Sequence, residues 1–163
     1  MSRPLSAVGG MGQSGRMGPV LRFDHVGITV SDLGPAIAFF ESLGLVLDGP
    51  SMAMEGEFLD TVIGMSGART EIVMLRSPEG GAAIELSSFV RPAPEPGSPD
   101  AMAHVLGLRS VAFEVDDLDV AVARAAAGGY GVIGGLGEYE GVWRMAYVRG
   151  PDGIIVALAQ RLG

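Results

Sequence analysis

The stretch DHVGITVSDLGPAIAFFESLGL, residues 24–45, decides the predicted fold. Its first part, up to Val30, has the β-branched and apolar composition of a strand. Ser31 or Asp32 follows as a helix N-cap, because both side chains can accept a hydrogen bond from a free amide of the first turn. Gly44 ends the short amphipathic helix that comes next. The stretch therefore predicts a strand that leads directly into a helix.

The same order of elements recurs in the second half of the chain. LRSVAFEVDDLDVAVARAAAGG, residues 108–129, again predicts a strand followed by a capped helix. Asp32 aligns with Asp117 in this repeat, and Gly80 aligns with Gly153. Each half continues with two predicted strands around a turn that contains Pro and Gly, and these strands are 71–76, 82–89, 143–149 and 154–160. This agreement indicates an internal duplication.

The predicted organisation is one domain built from two similar modules. Residues 1–20 are rich in Gly, Met and Ser, which predicts a flexible tail. Residues 21–90 form the first βαβββ module and residues 107–163 form the second. The Pro-rich residues 91–106 connect them as a semi-rigid linker.

Composition excludes several classes of protein. The 163 residues carry 11 basic and 19 acidic side chains, a net charge of −8, which argues against nucleic-acid binding. Cys is absent, so disulfides, thiolate metal sites and Cys nucleophiles are excluded. No apolar run is long enough for a membrane span or a signal peptide, so we expect a cytoplasmic protein. All basic residues are Arg, and Lys and Asn are missing, which indicates a GC-rich and hence bacterial source.

A paired βαβββ module that opens on DHVGITVSDL and closes on YVRGPDGIIVALAQ resembles the vicinal oxygen chelate superfamily. That group includes glyoxalase I, extradiol dioxygenases and bleomycin-resistance proteins, and the resemblance covers residues 21–162. It implies an α+β fold in which two modules curl a mixed sheet into a cup. The cup holds the ligand and, in the enzymes, a divalent metal.

The resemblance also implies four metal-ligand positions, on the first and last strands of each module. His25 and Glu85 occupy the two positions of the first module. Ser110 and Ala157 stand where the second module usually has His and Glu. Because a catalytic zinc site normally keeps three protein ligands, we expect a degenerate site, and neither a standard glyoxalase I nor an extradiol dioxygenase. His25 is alternatively a hydrogen-bonded core residue.

Further candidates come from strand alternation and from loop position. Ser110 and Glu114 fall on the face of their strand that corresponds to the face of His25, so both are candidates for substrate binding. Glu114 alternatively pairs with an Arg inside the sheet. Arg144 is expected either to hold a substrate carboxylate or to pair with Glu71 across strands.

One loop carboxylate and three aromatic side chains complete the candidate set. Glu140 is a candidate catalytic residue near the mouth of the cup, or an ordinary solvated loop acid. Tyr139, Trp143 and Tyr147 are candidate wall residues that favour a planar or apolar ligand.

Two functions of different classes follow from these residues. The first is an isomerase or lyase in which Glu85 moves a proton next to a carbonyl, with Glu140 as a second catalytic candidate. A divalent metal at His25 and Glu85, or donors such as Arg144 and Tyr147, would stabilise the enolate. The alternative is a metal-free binding protein that sequesters a small molecule or an antibiotic. We expect an aromatic, cationic or carboxylate-bearing ligand and, from the resemblance, a homodimer.

Overall fold

The computed structural model describes residues 18–163, which form two mixed β-sheets and three α-helices. The predicted tail lies outside the described residues as far as residue 17, and residues 18–20 are exposed. None of the helices in the described range combines the length and the apolar character needed to cross a bilayer.

The first sheet is built from residues 25–91. Its strand order is β1-β5-β4-β2, with β3 also paired to β4, and only the β1–β5 pair is parallel. The elements are β1 (His25–Thr29), α1 (Leu33–Ser42), β2 (Val46–Leu47), β3 (Met52–Glu55), α2 (Glu57–Ile63), β4 (Arg69–Arg76) and β5 (Ala83–Arg91).

The second sheet is built from residues 110–161 and repeats this plan. Its strand order is β6-β9-β8-β7, and again only the first pair is parallel. The elements are β6 (Ser110–Glu114), α3 (Leu118–Ala127), β7 (Gly137–Tyr139), β8 (Trp143–Arg149) and β9 (Ile155–Arg161). The predicted α+β fold with two βαβββ modules is thus confirmed.

The structure adds three elements that the sequence patterns did not predict, β3, α2 and β7. All three are short, and α2 has no side-chain cap at Gly56, so the usual helix-start signal is missing. Because β3 joins the first sheet, that sheet has five strands, whereas the second sheet, which includes β7, has four. No strand pairing joins the two sheets within residues 18–163, so each module contributes a mixed sheet of its own.

Repeat-related aspartates begin the two main helices. Asp32 accepts a hydrogen bond from the Gly34 amide at 2.9 Å, and Asp117 accepts one from the Val120 amide at 3.0 Å. Both caps satisfy an amide that the first helical turn leaves free. The structure therefore selects Asp32 over Ser31 as the N-cap of α1.

A single hydrophobic cluster joins the two modules. Helices α1 and α3 each pack on their own sheet and also contact each other. Phe40 and Leu118 are completely buried in this cluster, and the Phe40 ring meets the Phe113 ring edge-on at 6.4 Å. Truncation of such a residue to Ala costs about 2–5 kcal/mol. The cluster therefore contributes much of what keeps the modules in one arrangement.

Each sheet has one face packed on its helix, called the helix face, and an opposite face, called the open face. Val73 and Leu86 on the first sheet and Val148 and Leu158 on the second are buried on the helix faces. The open faces carry residues of opposite pleat, including the exposed His25 and its neighbours. His25 and the other exposed side chains of the open faces are therefore free to meet a ligand or a second molecule.

The linker is held against the second module by one arginine. Arg149 donates from Nη1 to the carbonyl oxygens of Pro99 at 2.7 Å and Ala101 at 3.1 Å. Gly153 adopts a φ of +82° beside this contact, and a Cβ at that position would overlap the Pro99 backbone. The turn and the linker can pack this closely only because residue 153 has no side chain.

The repeat offers a matched test of this contact. Gly80 has nearly the same φ, +87°, but a Cβ there would meet nothing within 4 Å. We expect Gly80→Ala to cost about 1–2 kcal/mol from the left-handed backbone alone. Gly153→Ala should cost about 1–3 kcal/mol more, because it also overpacks the linker. Urea unfolding of both variants measures the difference, and equal losses would contradict the proposed contact.

Candidate functional site

The parallel pairing of β1 with β5 places His25 beside Glu85. His25 lies opposite Ala83 and Gly27 lies opposite Glu85, so both side chains project from the open face. The His25 Nε2 and Glu85 Oε2 atoms are 3.6 Å apart. Both side chains are partly exposed, 38% for His25 and 28% for Glu85. His25 and Glu85, which are 60 positions apart in the sequence and which the resemblance placed in one site, are therefore neighbours on the open face.

Asp24 orients the His25 ring from the other side. Its Oδ2 lies 2.8 Å from His25 Nδ1. Since an ionised carboxylate only accepts hydrogen bonds, Nδ1 carries the proton and donates it. The hydrogen bond from His25 lowers the pKa of Asp24 below its ordinary value, and a hydrogen bond from Arg22 makes a smaller contribution in the same direction. Sequence reasoning did not identify Asp24, although its position next to His25 was the available signal.

Gly27 keeps the carboxylate of Glu85 accessible. A Cβ at Gly27 would lie 3.8 Å from Glu85 Oε1, so any larger side chain would extend over this carboxylate. One step further along the same face, the Thr29 and Ser87 hydroxyls lie 3.4 Å apart. The open face thus offers two basic groups followed by two hydroxyls.

The second module repeats this register without its chemistry. Ser110 lies opposite Ile155 and Ala112 lies opposite Ala157, as His25 lies opposite Ala83 and Gly27 opposite Glu85. Ser110 and Ala157 therefore occupy the structural places of the histidine and the glutamate. Only a hydroxyl and a methyl group stand there.

The donor set does not fit a resident divalent metal. Two ligands at about 2.1 Å from one tetrahedral zinc ion would be separated by about 3.4 Å, which is close to the His25–Glu85 distance. A third donor is missing, however, since no group of three His, Asp or Glu side chains suited to a metal occurs within residues 18–163. The pair can supply half of the metal site that the resemblance implies.

Candidate substrate residues meet on the open face of the second sheet. Tyr147 lies opposite Ala157, Trp143 opposite Arg161 and Tyr139 opposite Trp143, so the aromatic side chains share a face. The following residues project from that face: Ser110, Glu114, Tyr139, Trp143, Met145 and Tyr147. The structure therefore brings together five of the six predicted substrate-binding residues.

Glu114 has an arginine neighbour on this face. The Arg161 Nε is 3.9 Å from Glu114 Oε1, and the Arg161 guanidinium carbon lies 4.9 Å from the centre of the Trp143 ring. Glu114 thus has an arginine partner, which was the alternative prediction for this residue. The pair is not inside the sheet, however, because the Glu114 side chain is 63% exposed and that of Arg161 is 62% exposed. Such an exposed pair stabilises little and leaves the carboxylate accessible.

Arg144 is the exception among the predicted substrate residues. It lies two residues before buried Ala146 and therefore projects from the helix face. Its guanidinium donates two hydrogen bonds to Asp119 of α3, at 3.0 and 3.1 Å. The pair raises the pKa of Arg144 and lowers the pKa of Asp119. The expected pairing with Glu71 is wrong, because Asp119 takes that place and Glu71 belongs to the other sheet.

Glu140 also lies apart from the His25–Glu85 pair. It occupies the exposed turn between β7 and β8, with a φ of 50°. No hydrogen bond or ion pair among the described residues joins it to His25 or Glu85. A role for Glu140 beside Glu85 therefore finds no support in these contacts.

Arg109 is a polar residue that sequence reasoning missed. It lines a cavity of about 470 Å³ between β1 and β6. Its Nε atom is buried and has no hydrogen-bond partner within residues 18–163. The available signal was the position of Arg109 in LRSVAFEV, where a charged side chain stands next to an apolar strand. A charge that becomes buried there needs a partner.

The incomplete donor set makes metal binding testable. We expect that equimolar Mn²⁺, Ni²⁺, Zn²⁺ or Fe²⁺ leaves the Tm unchanged, and that removing metal with EDTA does not lower it, because two ligands hold a divalent ion weakly. Elemental content of protein purified without chelator, together with thermal unfolding, measures this. Stoichiometric metal that disappears in Glu85→Gln would show that other groups complete the site.

Comparison with known proteins places this geometry in a family. Residues 24–147 match the family model described as the Glyoxalase/Bleomycin resistance protein/Dioxygenase superfamily. No curated protein matches the sequence significantly. Among solved structures, a glyoxalase family protein from Bacillus cereus is 38% identical, with 90% of this chain and 98% of that chain covered and a TM-score of 0.85.

Two less similar structures share the fold. TnmS3, an antibiotic binding protein from Streptomyces, is 20% identical over 87% of this chain and 97% of its own, with a TM-score of 0.56. A glyoxalase I variant from Zea mays is 19% identical over 84% of this chain and 45% of its own, with a TM-score of 0.58. The family match and the Bacillus cereus structure together show that the chain belongs to the Glyoxalase/Bleomycin resistance protein/Dioxygenase superfamily.

Proposed function

We propose that this protein is a small-molecule enzyme of the isomerase or lyase type that transfers a proton at a carbon next to a carbonyl. The observation that carries the proposal is the arrangement of Asp24, His25 and Glu85. His25 Nδ1 is 2.8 Å from Asp24, and His25 Nε2 is 3.6 Å from Glu85. A ligand-binding wall has no need for an imidazole held between two carboxylates.

The orientation of His25 gives the pair its chemistry. Because Nδ1 donates to Asp24, Nε2 is the ring nitrogen that faces Glu85 and is the one available to exchange a proton there. Two basic atoms then face the same substrate position, and a proton taken by Glu85 can be shared with His25. The partial exposure of both groups leaves room for a substrate, and the bare Gly27 keeps the approach to Glu85 open.

The negative charge that develops on the substrate oxygen needs a donor. Arg144 and Tyr147 were the expected donors, but Arg144 is engaged by Asp119 on the helix face, and Tyr147 lies on the other sheet. The hydroxyls of Thr29 and Ser87 lie on the open face, two residues beyond Gly27 and Glu85. Two residues along a strand span about 6.6 Å, so one substrate can contact both the base and these hydroxyls. They supply the hydrogen bonds to the enolate oxygen in this proposal.

A second function is favoured by a separate observation. The open face of the second sheet exposes Met145 at 39%, Tyr147 at 37% and Tyr139 at 64%. Such a surface suits sequestration of a planar apolar compound, and the net charge of −8 attracts cations. The structurally similar TnmS3 is described as antibiotic binding. In this alternative the chain binds a compound without changing it.

Hydrogen–deuterium exchange separates the two functions. Pyruvate, dihydroxyacetone and a propionyl thioester are incubated with the protein in D₂O, and NMR follows loss of the proton next to the carbonyl. We expect that the wild-type protein makes exchange of at least one of the three compounds faster than it is without protein. The rate of this catalysed exchange should fall about 10²-fold or more in Glu85→Gln and in His25→Ala. Both variants should keep a near-native Tm, because both side chains are partly exposed.

Glu71→Gln is the matched control for this experiment. Glu71 is an exposed carboxylate of the same sheet, and its pairing with Ser88, three residues from Glu85, puts it on the opposite face. Exchange should be unchanged in this variant. Compounds that bind without exchanging, or exchange that survives Glu85→Gln, would reject the proton-transfer proposal and favour the binding function.

We also infer that the protein is a homodimer formed through the open faces. Met52, Met145 and Tyr147 are exposed there by 48%, 39% and 37%, which is typical of a surface that a partner covers. Light scattering should give twice the chain mass of 16.8 kDa. Met145→Glu should shift the mass toward that of the monomer, whereas Val120→Glu on the surface of α3 should not. A monomeric wild-type protein would contradict the inference.

A further inference from the structure

A cavity of about 470 Å³ lies between the two sheets, and neither His25 nor Glu85 lines it. Strands β1 and β6 stand at the ends of their sheets, each with a single hydrogen-bonded neighbour, and both line this cavity. Linker residues and the turn around Gly153 complete its wall. The volume falls within the range of small-molecule sites, about 300–1,000 Å³.

Arg109 supplies an unneutralised cation to this cavity. Its Nε atom is buried without a hydrogen-bond partner, and no ion pair within residues 18–163 involves its guanidinium. By contrast, Arg144 pairs with Asp119, and Arg149 donates to backbone carbonyls. A buried donor of a charged group that lacks a partner is costly, so the position favours an anion brought by a ligand.

The one carboxylate in the wall does not satisfy Arg109. Asp152 also lines the cavity, but its Oδ2 accepts a hydrogen bond from the Ser31 amide at 2.9 Å. It lies beyond ion-pair distance from Arg109. The cavity therefore has an acidic group at one place and an unpaired guanidinium at another.

The rest of the wall combines apolar side chains with the hydroxyls of Thr29 and Ser110, and it has free backbone groups at two edges. Its apolar side chains come from both strands, the linker and β9, and include Val26, Ile28, Leu108, Val111 and Ile155. The outer edges of β1 and β6 have backbone N–H and C=O groups that pair with no strand in the described part of the chain. The apolar side chains suit the body of a small ligand, and the hydroxyls and strand edges suit its polar contacts.

We propose that this cavity is a second ligand site, which binds a small molecule with one carboxylate on an apolar body. The guanidinium of Arg109 holds the carboxylate, with Nε and one terminal nitrogen as parallel donors. The apolar body lies between β1 and β6. The cavity adjoins the proposed catalytic pair, since Gly27 and Thr29 line it, but neither His25 nor Glu85 does, so its binding can be tested separately from proton transfer.

Calorimetry with hexanoate tests the proposal on the full chain. Hexanoate should bind in about the millimolar range or tighter, and about ten-fold tighter than its uncharged counterpart hexanamide. Arg109→Gln should remove that preference. Arg124→Gln is the matched control, since Arg124 is an exposed arginine of α3 outside the cavity. Glu85→Gln should also leave binding unchanged, which separates this site from the proposed catalytic pair.

A second measurement needs no variant. Among the glycine amide signals of the wild-type protein, that of Gly153 reports on the cavity, that of Gly27 reports on both the cavity and the neighbourhood of Glu85, and those of Gly44 and Gly80 lie elsewhere. Hexanoate should shift the Gly153 signal and leave those of Gly44 and Gly80 in place. Absence of hexanoate binding, equal binding of hexanamide, retained binding in Arg109→Gln, or shifts confined to other glycines would each overturn the proposal.

Discussion

The parallel pairing of the first and last long strand in each module is the constraint on which the rest of the structure depends. A parallel pair needs a crossover, so α1 and the antiparallel strands must intervene between β1 and β5. The same holds for β6 and β9. This topology leaves β1 and β6 with one free edge each, which forms the cavity of Arg109, and it sets the register that puts His25 beside Glu85.

Helix packing turns the two modules into one unit. The Phe39 ring lies 5.1 Å from Phe40 and 5.0 Å from Tyr130 of the second module, in edge-on contacts. A Cβ at Gly150 would come within 2.7 Å of the Phe39 ring, so this contact requires a glycine in the facing turn. An added methyl group in such a contact costs about 1–3 kcal/mol. Because the contacts between the modules are made on the helix faces, exposed open-face side chains such as His25 and Tyr147 remain available for chemistry.

The two modules have the same strand register but different functional groups on their open faces. The first module carries the imidazole and the carboxylates, while the second carries a hydroxyl and a methyl group at the same register positions. The second sheet instead presents aromatic and methionine side chains. The imidazole and carboxylates of the first sheet are the feature that the proposed proton transfer needs. The aromatic and methionine surface of the second sheet is the feature that the alternative binding function needs.

The sequence by itself determined the local elements and their repetition. Asp32 and Asp117 begin helices because a side chain needs only its own backbone neighbours to cap them. The alternation of the strands predicted that Glu114 shares a face with Ser110, and the structure places them so. The pairing of His25 with Glu85 was foreseen from the family resemblance, since residues 60 positions apart have no local signal.

Only the tertiary structure decided which polar side chains meet. Arg144 turns to Asp119 and not to Glu71, since its strand is flanked by α3 on that side. Asp24 orients His25, and Arg109 faces a cavity whose walls come from β1, β6 and the linker. These contacts depend on crossover direction, strand order and helix packing. No short window of sequence carries that information, because it arises when distant segments bury their apolar faces together.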